Sequence, residues 1–158
     1  MQNSLLLKIL QKIKMSTILQ IATTDKNLST LITGLKAADL EDTLNGFGPF
    51  TILAPVNLAF GKLIAPDTFE HLMKHSQDNN KLSAILRFHV LKGKKLMKDF
   101  RHGQKLETVH GEELSVTVKD GIIRINEAKI LTRDRQGSNG VVHSIDTVNL
   151  PTHEVSLK

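Results

Sequence analysis

The chain has 158 residues, a formal net charge of +5 and no cysteine. This length suits one domain that buries its own core, and the lack of cysteine excludes a disulfide scaffold and a thiolate metal site. Tryptophan and tyrosine are also missing from the sequence, which removes the commonest interface anchors and weakens any base-stacking surface. The mildly basic charge permits attraction to polyanions without naming one.

Residues 1–15 are predicted to form an amphipathic N-terminal extension. Four apolar residues share one helical face: Leu6, Ile9, Leu10 and Ile13. The segment is not a convincing secretory signal, because Lys8 breaks its apolar run and no small-residue cleavage site follows. Three interpretations of this segment remain open. It packs on its own domain or on a second copy, it contacts an anionic membrane, or it is an unstructured or extraneous end.

Helical periodicity continues from Ser16 to about Leu44, with a predicted break at 25–27. Asn27 is the predicted cap of the helix after this break. A strand over 50–53 then leads into a helix over 57–63.

Two more helices are predicted over about 67–75 and 81–86, followed by short strands. Residues 88–91 are predicted as one strand, and from Gln104 to Thr132 apolar and polar residues alternate with a period of two. Asp120-Gly121 predicts a hairpin turn between two of these strands. Helices first and strands afterwards indicate an α+β fold with largely antiparallel pairing.

The C-terminal stretch opens on Asn139-Gly140, a turn signal because both residues tolerate positive φ. A β-branched run follows, with His143 between two aliphatic residues on one face and Ser144 and Asp146 on the other. Apolar residues on both faces predict a central strand that is covered on both sides. His143 is therefore predicted to point into protein.

Three segments resemble, in this order, the motifs of fasciclin-type domains: Phe50–Phe60 (FTILAPVNLAF), Arg87–Gly93 (RFHVLKG) and Asn139–Pro151 (NGVVHSIDTVNLP). The resemblance implies a fasciclin-like fold, in which N-terminal helices pack on a largely antiparallel β-sandwich or wedge of short strands. It divides the chain into the extension 1–15, a fasciclin-like domain over 16–151 and a tail over 152–158.

The resemblance also implies structural or interaction roles for nine residues: Thr51, Asn57, Phe88, His89, Asp134, Asn139, Gly140, His143 and Asp146. Both histidines lie in predicted apolar strands, so each needs a buried hydrogen-bond partner and is expected to help lock the fold. The family usually has Thr or Ser where this chain has Val56, so Asn57 is expected to cap the helix instead.

In some animal members, integrin binding is attributed to an Asp-Ile pair before the C-terminal motif and to the Tyr-His region. Here Asp134 matches the Asp, but Arg135 stands in place of Ile and Phe88 in place of Tyr. The chain therefore departs from the integrin-binding pattern at two positions.

No catalytic, cofactor or metal site is predicted. His71 and His75 have a zinc-compatible spacing, but the intervening residues lack the glutamate of a metalloprotease motif. His143 faces away from Ser144 and Asp146, so strand geometry prevents a local triad.

A basic stretch contains six cationic residues: Lys92, Lys94, Lys95, Lys98, Arg101 and Lys105. Its two interpretations are an ordinary solvated face and a patch for polyanions such as acidic polysaccharide or lipid headgroups. Sequence-specific nucleic-acid binding is not expected, because no recognised binding module is present.

The resemblance implies a non-enzymatic binding module for cell adhesion or for matrix and surface interactions, with a protein or polysaccharide ligand. An extracellular or cell-surface location would accompany that function. The alternative is a cytoplasmic or membrane-surface protein that acts by weak self-association through residues 1–15, which the lack of a recognisable signal favours.

Overall fold

The computed structural model of the chain describes residues 16–62 and 79–151, with the side chains of residues 79 and 80 excluded. The predicted N-terminal helix, the helix over about 67–75 with His71 and His75, and the tail over 152–158 lie outside this described part.

Five α-helices lie in the described part: α1 Ile18–Thr23, α2 Ser29–Ala37, α3 Glu41–Leu44, α4 Asn57–Gly61 and α5 Asn79–Arg87. A capping box starts α1, in which the Thr17 hydroxyl accepts the Gln20 N–H and the Gln20 side chain accepts the Thr17 N–H. The break before α2 is a 3₁₀ turn over Lys26–Leu28, and its cap is Asp25, whose carboxylate accepts the Asn27 N–H at 2.9 Å. The prediction of Asn27 as the cap was therefore wrong.

Seven strands follow and interleave with these helices: β1 Phe50–Pro55, β2 Val90–Lys92, β3 Lys105–Glu107, β4 Glu113–Lys119, β5 Ile122–Ile125, β6 Ala128–Gly137 and β7 Gly140–Ile145. They form one sheet in the order β2-β1-β7-β6-β5-β4-β3. The β1–β7 pair is parallel, and the other neighbouring pairs are antiparallel. The predicted α+β class with largely antiparallel pairing is confirmed.

The sheet curls until its two outer strands approach each other. Leu91, in β2, forms a bridge with Thr108, which follows β3. The Val109 N–H also donates to the Val90 carbonyl at 2.8 Å. The sheet is therefore wedge-shaped and almost closed upon itself.

Two apolar clusters lie on opposite sides of the central strands. Ile52 and Val142 face the helices, where they join apolar residues of α1, α2 and α5. Leu53 and Ile145 face the inside of the curl, where they pack with Phe88 and residues of the later strands. All six residues of β7 are buried, which confirms the predicted central strand with cover on both faces.

Three predicted strand boundaries were wrong. The strand predicted at 88–91 begins at Val90, because the N–H groups of Phe88 and His89 still donate to carbonyls of the preceding helix. The strand predicted to end near Thr132 continues to Gly137, with register shifts on its way. The last strand ends at Ile145, before the residues that the alternation pattern had included.

Of the two predicted β-turns, one is confirmed by the structure and the other is not. Asp120 and Gly121 have φ values of 53° and 78°, which confirms the predicted hairpin. At the β6–β7 turn, Gly137 pairs with Gly140, so the turn residues are Ser138 and Asn139. The prediction of Asn139-Gly140 as the turn was therefore wrong by one residue, because Gly140 already belongs to β7.

Candidate functional site

His143 lies at the centre of the sheet and is completely buried. Its Nδ1 accepts the backbone N–H of Asp134 at 3.0 Å, so the ring proton is on Nε2, which donates to the Lys95 carbonyl at 2.7 Å. The Phe100 ring packs edge-on against the imidazole, with a centroid distance of 5.6 Å. The histidine therefore joins β7 to β6 and to the loop after β2.

The environment of His143 favours the neutral ring. Burial lowers the pKa of His143, while its hydrogen bond to the Lys95 carbonyl and the nearby Asp134 carboxylate act in the opposite direction. Protonation of Nδ1 would also remove the acceptor of the Asp134 N–H. This arrangement stabilises structure and provides no exposed general base.

Asp134 lies at an irregularity in β6 with a φ of 58°. One carboxylate oxygen accepts the Met97 N–H at 2.9 Å and lies 4.0 Å from Nδ1 of His143. The next residue, Arg135, forms an ion pair with Asp25. Burial raises the pKa of Asp25, but the Asn27 N–H and Arg135 outweigh burial and leave it lowered.

Thr51 fixes the same loop from the side of β1. Its buried hydroxyl donates to the Gly93 carbonyl at 2.7 Å and accepts the Lys95 N–H at 2.8 Å. Thr51, Asp134 and His143 therefore hold the backbone of residues 93–97 from three strands. The sequence motifs named these three residues but did not indicate that they share one loop.

His89 lies in the turn after α5, and its prediction as a strand residue was wrong. Its Nδ1 donates to the Ile85 carbonyl at 2.7 Å, and its Nε2 accepts the Asn149 N–H at 2.9 Å. Burial lowers the pKa of His89 to about 4, with the Ile85 hydrogen bond acting in the opposite direction. Phe88 is buried beside it and makes edge contacts with the rings of His89 and His110.

The side chain of Asn139 forms hydrogen bonds with backbone groups at the ends of two helices. The Oδ1 atom accepts the Ile18 N–H at 3.0 Å, and Nδ2 donates to the carbonyls of Leu44 and Gly46 at 2.8 Å each. The start of α1 and the end of α3 are thus satisfied by one residue of the β6–β7 turn. Gly140 then approaches β1 so closely that an added Cβ would overlap the Phe50 carbonyl oxygen.

Asn57 does not cap its own helix, contrary to prediction. Helix α4 begins at Asn57 without a side-chain cap, and the Asn57 side chain reaches the start of α2 instead. Its Oδ1 accepts the Thr30 N–H at 2.9 Å, and its Nδ2 donates to the Lys26 carbonyl and the Ser29 hydroxyl at 3.0 Å each. Val56, at the N-cap position of α4, makes no side-chain hydrogen bond to the helix.

The side chains of Ser144 and Asp146 form hydrogen bonds with residues of β6. The Ser144 Oγ accepts the Thr132 N–H at 2.9 Å and contacts the Thr132 hydroxyl at 2.6 Å. The Asp146 carboxylate accepts the Lys129 N–H at 2.8 Å and the Thr147 hydroxyl at 2.9 Å. The ring nitrogens of His143 have other partners than these two side chains. Within residues 16–62 and 79–151 no group of acidic residues and histidines could hold a metal ion.

The structure also shows two contributors that the sequence interpretation missed. Asn149 fixes His89 through its N–H and donates its side chain to the Ile125 carbonyl at 3.1 Å. The Asp25–Arg135 pair joins residues 110 positions apart. Asn149 lies within the C-terminal motif, so its place in that motif could have identified it from the sequence. No sequence pattern pointed to the Asp25–Arg135 pair.

The six basic residues occupy one continuous segment on the surface. Lys92 forms an ion pair with Glu107 at 3.0 Å, and Lys105 donates to the Ser115 hydroxyl at 2.7 Å. Lys94, Lys98 and Arg101 are exposed, and Lys95 is half-buried. The charged groups lie beside the loop that Thr51, Asp134 and His143 fix.

Known proteins resemble this chain over most of its length. The family model of the Fasciclin domain matches residues 26–151. Protein sll1483 of Synechocystis sp. is 40% identical over 135 residues, which cover 85% of this chain and 73% of that protein. Cell surface glycolipoprotein MPB83 of Mycobacterium bovis is 34% identical over 135 residues, covering 82% of this chain and 58% of that protein.

A solved structure shares the fold. A pair of FAS1 domains from the insect cell adhesion molecule Fasciclin I matches with a TM-score of 0.75 at 22% identity, over 89% of this chain and 52% of that chain. This chain therefore spans about half of the solved one. None of the helices in the described part is long and apolar enough to cross a membrane.

Proposed function

The chain belongs to the fasciclin domain family, and from this membership we propose that it is a non-enzymatic binding module of a cell surface or matrix. Its ligand would be a protein or polysaccharide of that surface. Membership rests on the family model over residues 26–151 and on a microbial relative at 40% identity. The name of the mycobacterial relative, a cell surface glycolipoprotein, supports the proposed location.

One observation carries the non-enzymatic part of the proposal. The buried histidines and Asn139 of the three motifs make their side-chain hydrogen bonds to backbone groups inside the protein. His89 and His143 each use both ring nitrogens in this way, and Asn139 uses both ends of its amide. Buried and satisfied groups of this kind support a rigid scaffold, whereas catalysis needs polar groups directed at a substrate.

An integrin-type interaction is not part of the proposal. The Asp134 carboxylate accepts the Met97 N–H at 2.9 Å, and Arg135 pairs with Asp25. Both residues at the positions of the family's Asp-Ile pair are thus engaged within this domain. Recognition of a surface by other exposed side chains is the form of binding that we propose.

The test is the location and surface attachment of the natural protein. Source cells are fractionated, each fraction is probed with an antibody, and intact cells are treated with protease. We expect the protein in the secreted or surface fraction, where protease removes it from intact cells. Protein confined to the cytosol and protected from protease would contradict the proposal and favour self-association through residues 1–15.

A further inference from the structure

We propose that residues 92–105, here called the basic loop, form a binding site for an acidic polysaccharide that carries sulfate or carboxylate groups along its chain. The proposal deepens the proposed function and rests on it in one respect, that the domain is a binding module. Its support comes from three features of the loop: its charge, its fixed backbone and the exposure of its cations.

The basic loop contains the whole excess charge of the protein. Its 14 residues include six of the 21 basic residues and, in Asp99, one of the 16 acidic residues, so its net charge of six minus one equals the +5 of the whole chain. The remainder has 15 residues of each sign and is neutral. An ordinary solvated face would share its charges with the rest of the surface, whereas here the excess positive charge belongs to one short segment of the chain.

The first half of the basic loop is fixed by buried residues. The Gly93 N–H donates to the Pro49 carbonyl at 2.9 Å, and Thr51 holds the backbone on both sides of Lys94. His143 binds the carbonyl of Lys95 at 2.7 Å, and Asp134 accepts the N–H of Met97 at 2.9 Å. The backbone that carries Lys94, Lys95 and Lys98 is therefore held in place before any ligand arrives.

The second half is fixed by β4 and by local contacts. The Gly103 N–H donates to the Val116 carbonyl at 2.9 Å, and Nδ1 of His102 accepts the Val118 N–H at 3.0 Å. The Arg101 N–H donates to the Gln104 side chain at 2.9 Å. A fixed backbone reduces the conformational entropy lost on binding, so the cations are spaced in advance.

Three cations of the basic loop are available to a ligand. Lys94, Lys98 and Arg101 are exposed, and the ion pairs among the described residues do not include them. The one acidic residue of the loop is already engaged, because the Asp99 carboxylate accepts the Leu96 N–H at 2.9 Å. The neighbouring carboxylates outside the loop are also engaged, because Asp134 accepts the Met97 N–H at 2.9 Å and Glu107 pairs with Lys92 at 3.0 Å.

The positions of the exposed apolar side chains favour a soluble polymer as the ligand of the basic loop, rather than a membrane or a nucleic acid. The large exposed hydrophobic residues of the described part are Phe47, Leu58, Ile122 and Leu131, none of which belongs to the basic loop. Stable attachment to a bilayer needs apolar insertion or a second anchor besides charge. Binding of single-stranded nucleic acid needs exposed aromatic rings for stacking. The one phenylalanine of the loop, Phe100, is buried, and the ring of His102 is bound to the Val118 N–H.

The experiment compares two triple variants of the full chain with matched charge. The first removes loop cations, K94S/K98S/R101S. The second removes two lysines and one arginine from exposed positions outside the loop, K26S/K36S/R124S. Binding is measured by calorimetry and by salt elution with heparin as the sulfated polymer, alginate as the carboxylate polymer and dextran as the neutral one. Melting temperatures verify that both variants fold.

The natural chain should bind heparin, alginate or both, but not dextran. The loop variant should lose about tenfold or more in affinity and elute at lower salt, because several cation–anion contacts leave together. The control variant should change by less than about twofold, since its cations are exposed and lie outside residues 92–105. Preference for heparin or for alginate identifies sulfate or carboxylate as the recognised group.

Three outcomes would overturn the proposal. One is equal loss of affinity in both variants, which would mean that only net charge matters. Another is failure of the natural chain to bind either acidic polymer. The last is binding to phosphatidylserine-containing vesicles or to a short DNA duplex that is as tight as polysaccharide binding. Each of these outcomes would remove the polysaccharide site, whereas the proposed function fails only if the natural protein is confined to the cytosol.

Discussion

His89 and His143 hold their ring protons on opposite nitrogens. His89 donates from Nδ1 to the Ile85 carbonyl and accepts at Nε2, whereas His143 donates from Nε2 to the Lys95 carbonyl and accepts at Nδ1. Each ring thus bridges one backbone acceptor and one backbone donor, which only the neutral imidazole can do. The two histidines therefore have the same structural role but are opposite tautomers.

The first prediction concerns pH. Below about pH 6.5 the unfolded chain protonates His89, whereas the folded chain does so only near its lowered pKa of about 4. Unfolding therefore takes up a proton in this window, and the free energy of unfolding falls as the pH falls from 6.5 towards 4, by roughly 3 kcal/mol from this group. Burial also lowers the pKa of His143, so it acts in the same direction.

Urea unfolding across this pH range measures the effect, and NMR titration of the His89 ring assigns it. The variant His89→Gln should lose part of the pH dependence. A free energy of unfolding that stays constant from pH 6.5 to 4.5 would contradict the prediction.

Replacement of His143 by alanine should destabilise the fold. His143→Ala removes the partners of the Asp134 N–H and the Lys95 carbonyl and leaves space beside Phe100. We expect a loss of about 3–5 kcal/mol in the free energy of unfolding, measured by chemical denaturation. His102→Ala is the comparison and should cost less than about 1.5 kcal/mol; similar losses in the two variants would refute a central structural role.

Asn139→Asp tests the amide that joins the helices to the β6–β7 turn. The substitution keeps the shape of the side chain but places a carboxylate oxygen against the carbonyls of Leu44 and Gly46. Because Asn139 is buried, we expect a loss of about 2–4 kcal/mol at neutral pH. Protonation of the new carboxyl should recover part of this loss at acidic pH, and a fully stable variant at pH 7 would argue against these contacts.

Gly140→Ala and Gly61→Ala form a matched pair. The first adds a methyl group that overlaps the Phe50 carbonyl oxygen, whereas the second adds one with no atom within 4 Å. Gly140→Ala should lower the free energy of unfolding by about 3 kcal/mol or more, or prevent folding. Gly61→Ala, in helix α4, should raise it by about 0.5–1 kcal/mol, and thermal melts of both proteins provide the comparison.

The sequence predicted the class of the fold because its signals are local. The helical periodicity of residues 16–44, the Asp120-Gly121 hairpin and the apolar alternation around His143 each depend on neighbours in the chain, and the three motifs added their order. The strand assigned to His89 failed because a period of two over four residues cannot be distinguished from the end of a helix.

The hydrogen-bond partners of the polar side chains were harder to predict from the sequence. The sequence identified Asn57 as a capping residue, and the structure confirms capping chemistry, but for a helix 27 positions away from it. The Asp25–Arg135 pair and the convergence of Thr51, Asp134 and His143 on one loop likewise depend on tertiary structure. For the same reason, sequence alone located the basic loop but did not show that its backbone is fixed.

The parallel pairing of β1 with β7 sets the order in which the protein can be completed. Residues 50–55 pair with residues 140–145, 90 positions later, and Asn139 also supplies the contacts that close α1 and α3. A chain emerging from the ribosome has therefore made its helices and first strand long before their partner exists. Contacts of such long range slow folding and leave apolar surface uncovered meanwhile, so the core of this domain can close only after its last strand has been synthesised.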